Sequence, residues 1–315
     1  GRYGFKAAND PGLLAAMYVR QNNDLEPASV ADASAAIDRS FKEIIGRGGV
    51  VAGVLSPFLT VEEAYLLARY LKGLGPASVL ALGPVPTKGQ DVTFRPDQSK
   101  GRTGDTSFVI SRPFTIRAEK APNRKGVEAI LEHFQGSVIT FDELSRRVAA
   151  KEIQGLYITG EAPEPWIDEP SSRGLRDGVS FLVVQDTTVT PLAQLADVVL
   201  AGATFAEKAG CYVNADGRLQ YSGAALPPRD GSLPDLDLLA ILLDRAGGPI
   251  RSAEVLAELA ESVPAFAVAR GGKVPPLGAV LGSTAPADGA RALAFVDAWY
   301  APMRAGRGRQ TAAKE

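Results

Sequence analysis

The stretch Ala196–Gln220, ADVVLAGATFAEKAGCYVNADGRLQ, decides how this chain is read. An apolar strand, Val198-Val199-Leu200, runs into small residues and then into the polar segment Glu207-Lys208-Ala209-Gly210. A tight turn follows at Asn214-Ala215-Asp216-Gly217, with Arg218 just beyond it. Asn and Gly in one turn supply positive backbone angles and exposed amides, which let a loop approach a flat, anionic ligand closely. The plainer reading of the same residues is a buried strand followed by an ordinary glycine turn.

Working outward, strands and helices alternate, which predicts an α/β protein with a largely parallel sheet. Val50 to Leu55 is a buried-strand candidate. Thr60 with Glu63 makes a capping box before a helix whose apolar positions Val61, Ala64, Tyr65, Ala68 and Leu71 repeat with helical spacing. Gly73 and Gly75 stop it, and Val79 to Leu82 is the next strand. From Asn123 a second series begins: a helix through Phe134 ended by Gly136, a short strand Val138-Ile139, and a second capping box, Thr140 with Glu143, before a helix through Val148. Strand Leu156-Tyr157-Ile158 leads into Gly160-Glu161, and strand Phe181 to Val184 leads into Gln185-Asp186. An apolar helix from Leu236 to Ala246 is stopped by Gly247-Gly248, and Ser252 is expected to cap another through Ser262. A short helix is expected from Phe295 to Trp299. The pattern divides the chain into a first α/β part (1–83), an irregular basic loop or hairpin (84–122), a second α/β part (123–248), and C-terminal helices with a loose tail (249–315).

The chain has 315 residues, 45% of them hydrophobic and 22% charged, with a net charge of −2. That balance argues against nucleic acid as the principal partner. No apolar run approaches the roughly 20 residues that span a bilayer, so direct membrane insertion is not expected. Cys211 is the only cysteine and His133 the only histidine. An internal disulfide, a four-thiolate iron–sulfur cluster, a histidine-based hydrolase triad and a multi-histidine metal site are therefore all excluded within this chain. Cys211 reads as a buried small hydrophobe and His133 as a residue suited to a helix C-terminus. The acidic neighbours Glu62-Glu63 and Asp168-Glu169 are expected to be solvated. Gly46-Arg47-Gly48-Gly49 lacks the Lys-Ser/Thr of a phosphate loop. Between Arg95 and Lys125, eight Lys or Arg face three Asp or Glu. This is either a solvated loop or a docking edge for an acidic partner.

The order of residues in Ala196–Gln220 resembles the molybdopterin oxidoreductase family where that family borders its pterin dinucleotide. Asn9 to Leu14, Tyr18-Val19-Arg20 and Leu25 to Ser29 are similar to a stretch that follows the last cysteine of the family's small iron–sulfur domain, with Val30 where the family usually has Trp. The resemblance thus implies that the chain is the C-terminal part of a longer polypeptide. Leu156 to Pro163 looks like another family segment in which Ala162 replaces Asn. Val183 to Asp186, followed by Thr190 to Ala193, looks like a third, with Leu192 replacing a polar residue. These likenesses imply a shortened DMSO-reductase-like domain of parallel-sheet, Rossmann-like layers. They assign Asn214, Gly217 and Arg218 to the pterin and Gly160, Glu161 and Asp186 to the nucleotide end.

Ser56-Pro57 and Glu62 to Leu71 resemble the family's helix after its first strand. Catalytic members continue with a long segment carrying the molybdenum ligand, whereas here Gly75 leads directly to a short strand and the basic loop. No metal ligand and no catalytic residue is assigned. A shortened, cluster-free version of this kind is similar to the one in the large iron–sulfur subunit of NADH-quinone oxidoreductases (respiratory complex I). Phe114 to Gly126 also looks like that large subunit. That likeness implies a non-catalytic scaffold without a cofactor of its own, in a parent that carries iron–sulfur clusters. Its partners would be the other subunits of the peripheral arm, on the cytoplasmic side of the inner membrane. The alternative is a formate dehydrogenase-like module binding molybdopterin guanine dinucleotide, and a further one is a non-redox interaction module using residues 95–125.

Overall fold

The computed structural model describes residues 4–95, 113–245 and 249–282. A short helix, α1 (Gly4–Ala8), precedes strands β1 (Met17–Gln21) and β2 (Asp24–Ala28) and helix α2 (Val30–Gly46). Then come β3 (Val51–Leu55), α3 (Val61–Leu74), β4 (Val79–Leu82), β5 (Val92–Phe94) and β6 (Phe114–Ile116). The second series is α4 (Arg124–Gln135), α5 (Phe141–Ala149), β7 (Gly155–Thr159), α6 (Glu169–Gly178), β8 (Phe181–Asp186), α7 (Pro191–Leu195) and β9 (Val198–Ala201). A hairpin of β10 (Gly210–Val213) and β11 (Arg218–Ser222) follows, then α8 (Asp235–Leu242), α9 (Ser252–Ser262), a 3₁₀ turn at Pro264–Ala269 and β12 (Ala279–Val280).

The fold is α/β with a mostly parallel central sheet, as expected. Its strand order is β2-β1-β9-β8-β7-β3-β4. The strands from β9 to β4 run parallel, while β1 pairs antiparallel with β9 and β2 with β1 at the edge. Every residue of β3, β7 and β9 is buried. Parallel strands covered on both faces need such continuous apolar runs. The chain leaves β3 for β4 on one side and returns for β7 on the other, so the order reverses between β3 and β7. Open α/β sheets bind ligands outside the carboxyl ends of the strands at such a reversal.

Helix α3 sets what happens there. The capping box is present in both directions: Thr60 accepts from the Glu63 amide, and the Glu63 carboxylate accepts from the Thr60 amide at 2.7 Å. From Val61 to Leu71 all but Arg69 are buried, because β3, α4, α8, α9 and β10 pack around the helix. Gly53 of β3 lies directly under Leu71, and a Cβ there would overlap its side chain.

Several local expectations change. Val138-Ile139 makes a single bridge, Ala81 to Ile139, because Gly136 has just ended α4 in the left-handed region and Thr140 already caps α5. The second capping box is half-formed: Thr140 accepts from the Glu143 amide, but the Glu143 carboxylate turns to Arg147, one helical turn away. Ser252 is the first residue of α9, and its hydroxyl donates to Glu62 rather than capping the helix. Helix α8 ends at Leu242, where Asp244 at φ 53° turns the chain ahead of the expected stop. Gly247-Gly248 and the expected Phe295–Trp299 helix lie outside the described residues. Within 84–122, β5 and β6 pair antiparallel as a two-stranded ribbon, and residues 96–112 between them lie outside the described residues. Among the described residues no helix is long and apolar enough to cross a membrane.

Candidate functional site

Three of the residues assigned from the sequence meet at the carboxyl edge of the sheet. Gly160 and Glu161 follow β7, and Asp186 ends β8. Asp186 is fully buried and accepts from the Thr187 amide at 2.7 Å, the Glu161 amide at 2.9 Å and Trp166 Nε1 at 2.9 Å. Burial raises its pKa above the ordinary carboxylate value, against the pull of these donors. A Cβ on Gly160 would overlap the Asp186 carboxylate and lie 2.6 Å from Trp166 Nε1. Glycine is needed here for close approach of the backbone, and what it approaches belongs to the same chain. Ser56, just past β3, donates from its hydroxyl to the Gly160 carbonyl at 2.5 Å, and its amide donates to Thr159 Oγ1 at 2.8 Å. Ser56 thus ties the carboxyl ends of β3 and β7 together.

Behind it lies a charge cluster. Lys208 Nζ donates to Glu63 at 2.9 Å, to Asp235 at 3.2 Å and to Glu161, and none of the four side chains is more than 3% exposed. One oxygen from each carboxylate lies within 4.8 Å of the others. Gln185 donates to Asp235 and accepts from the Tyr157 hydroxyl at 2.5 Å, tying the cluster to β7 and β8. Burial alone would lower the Lys208 pKa, but Asp235, Glu161 and Glu63 outweigh it and hold it well above the usual value. Burial raises Glu63 and Glu161, opposed by Lys208 and reinforced by Asp235. Glu63 Oε1 and Glu161 Oε1 have no partner among the described residues. The N-terminus of α3 helps to hold Glu63, since the helix dipole favours an anion in the first turn.

Glu62-Glu63 are therefore not solvated, contrary to expectation. The apolar pattern of α3 runs round the whole helix, and a helix apolar on every side is buried with whatever polar groups it carries. Glu62 accepts from the Cys211 amide at 2.8 Å and the Ser252 hydroxyl at 2.7 Å, and burial pushes its pKa up to about 7. Asn123 donates to the Leu59 carbonyl and accepts from the Val213 amide, each at 2.7 Å. Two amides of β10 are satisfied in this way by side chains instead of a neighbouring strand. Asp168, by contrast, is an exposed helix cap accepting from the Ser171 amide, and Glu169 is exposed.

Asn214, Gly217 and Arg218 occupy the other end of that hairpin. Gly217 has φ 77°, as the turn requires, but Asn214 does not share the positive angle. Its side-chain oxygen accepts from the Asp216 and Arg218 amides at 2.9 and 3.0 Å, so those amides are used within the turn. Arg218 reaches the Leu277 carbonyl at 3.2 Å. Among the described residues no hydrogen bond or ion pair joins this group to Gly160, Glu161 and Asp186.

A pterin dinucleotide brings a pyrophosphate, which needs cations or free backbone amides. The crevice at the strand ends presents Glu63, Glu161, Asp186 and Asp235 against one lysine, and its close-approach glycine faces Trp166 and Asp186. These side chains do not offer the cations or free amides that a pyrophosphate needs.

Residues 125–245 match the family model described as Molybdopterin oxidoreductase. This segment is a molybdopterin oxidoreductase family domain. The chain is 36% identical over 102 residues to the F420-dependent formate dehydrogenase subunit alpha of Methanocaldococcus jannaschii, covering 31% of this chain and 15% of that one. It is 29% identical over 152 residues to formate dehydrogenase H of Escherichia coli, covering 47% and 21%. The matched part is therefore about a fifth or less of these relatives' length. Both are formate dehydrogenases, and neither is the NADH-quinone oxidoreductase subunit that the sequence suggests. Among solved structures, acetylene hydratase from Pelobacter acetylenicus aligns over 34% of this chain and 16% of its own, with 17% identity and a TM-score of 0.28. The fold assignment rests on the sheet, not on that alignment.

Proposed function

We propose that this chain is a module of a formate dehydrogenase-like molybdopterin oxidoreductase, acting as framework and not as the seat of the chemistry. The relatives support the formate dehydrogenase side of this reading over the complex I side. The Lys208 cluster supports the framework role: the crevice that would take a nucleotide is occupied by the chain's own ammonium and indole. In the parent, the module would hold neighbouring parts in register, and any membrane association would come through those partners.

A second reading is favoured by one observation. The Asn214–Arg218 turn lies within the family-matched segment, at the tip of a hairpin, with its Asp216 side chain 77% exposed. A pterin held between this tip and another part of the parent would touch this chain without entering the filled crevice.

Purification of the parent from its native source tests both readings. Formate-dependent reduction of a viologen dye supports the formate dehydrogenase-like parentage, whereas oxidation of NADH with no response to formate restores the complex I reading. Elemental analysis for molybdenum and tungsten, with fluorescence of oxidised pterin, reports whether the parent carries the cofactor. Calorimetric titration of this chain with GDP is expected to show no binding. Micromolar binding abolished by Asp186→Asn would overturn the framework assignment.

A further inference from the structure

Among the described residues, the β5–β6 ribbon carries an apolar face that is half-exposed. Its register pairs Val92 with Ile116, Thr93 with Thr115 and Phe94 with Phe114. Side chains alternate across a strand, so Val92, Ile116, Phe94 and Phe114 share one face and the threonines the other. Val92, Phe114 and Ile116 are 46–52% exposed. The Phe94 and Phe114 rings stack at 5.0 Å and 16°, which fixes this face in shape. Among the described residues, strands β5 and β6 pair only with each other, so each keeps one edge of backbone donors and acceptors without a strand partner there. A two-stranded ribbon of this length is marginal in water unless its apolar face is covered.

The charge around it selects the cover. Arg117 bridges Asp216 at 3.0 Å, anchoring the ribbon to the β10–β11 turn. Lys88 and Arg95, on either side of β5, have no acidic partner among the described residues. A second copy of this chain would bring the same cations against them. A lipid surface would leave the open edges unpaired, which hydrocarbon does not tolerate. An extended protein segment satisfies both requirements, because strand addition pairs an edge while alternate side chains cover one face.

We propose that the β5–β6 ribbon is a strand-addition dock for a partner protein, whose docking segment is extended, apolar on one face and flanked by carboxylates. The dock is independent of whether the parent holds a pterin.

Amide hydrogen exchange on the native assembly and on this chain alone provides the test. The amides of 92–94 and 114–116 should exchange at least 10-fold more slowly in the assembly. Carbodiimide should join Lys88 to an Asp or Glu of another subunit. Ile116→Asp should reduce co-purified partner at least 10-fold with the melting temperature of the isolated chain unchanged, and Lys88→Glu with Arg95→Glu should weaken association in a salt-dependent way. Equal exchange in both samples would overturn the proposal. So would slow exchange already in the isolated chain, which would mean that its own residues cover the ribbon. Self-association, or sedimentation with phosphatidylserine vesicles, that Ile116→Asp abolishes would overturn it in favour of a second copy or a lipid surface.

Discussion

The Lys208 cluster and the β5–β6 ribbon invert each other. One places four ionisable side chains where water does not reach, and the other places four apolar side chains on a half-exposed face. Buried charges persist only where each has a partner, since desolvation costs several kcal/mol per ion. Exposed apolar faces mark places where something else docks. In the readings proposed above, the first region spends its polar groups on one another and the second leaves its apolar groups to a partner.

The sharpest way to break this contrast is Lys208→Met. Three buried carboxylates would lose their common cation, and stability should fall by about 3–5 kcal/mol in urea denaturation. Adding Glu161→Gln should recover part of the loss, because neighbours in one network are not additive. Cys211 gives a second readout. It is buried, and burial pushes its thiol pKa up, so it should resist labelling in the wild type and react in Lys208→Met. A loss under about 1 kcal/mol would mean the cluster is not a charged network.

Glu62 sharpens the comparison by pH. Its folded pKa of about 7 lies above the ordinary 4.5, so the folded protein retains a proton that the unfolded chain has released. The stabilisation is complete below pH 4.5 and is lost as pH rises towards 7, by about 3 kcal/mol at most. In Glu62→Gln this decline should flatten, as read from denaturation midpoints across that window. An unchanged slope would remove Glu62 as its source.

Smaller effects follow at the mouth and on the ribbon. Trp166→Phe removes a donor from the buried Asp186 carboxylate and should cost about 1.5–3 kcal/mol in thermal unfolding, with the Asp186 pKa rising further by NMR titration. If neither moves, the indole is not what closes the crevice. Ile116→Thr should change the stability of the isolated chain by no more than about 0.5 kcal/mol, since it alters an exposed position. A larger loss would show that the ribbon is already covered.

Much of the frame is legible in the residues. The runs at Val51–Leu55, Leu156–Ile158, Phe181–Val184 and Val198–Leu200 are too apolar for anything but a doubly covered sheet, and Thr60 with Glu63 marks the start of α3. Cys211 is the buried hydrophobe and His133 the residue near the end of α4 that their surroundings in sequence imply. The site is less legible. Lys208 stands in the stretch that decides the fold and Glu63 in the first capping box, yet 145 positions separate them and nothing local joins them. Trp166 carries no signal in sequence, because a tryptophan after a proline-rich loop has no fixed partner there. The Asn214 turn suggests free backbone amides, but its short side chain turns back onto its own loop, as Asx residues do.

Periodicity and capping by themselves determined the α/β class and most element positions, and the order of residues in Ala196–Gln220 carried the family likeness, because these depend on neighbours a few residues apart. Only the tertiary structure decided that Glu62 and Glu63 are buried, that Lys208 joins three distant carboxylates, and that Gly160 faces Trp166 and Asp186. Each of these follows from which helix the sheet reversal packs where, and electrostatic interactions are strong enough to specify a partner only once that packing has excluded water.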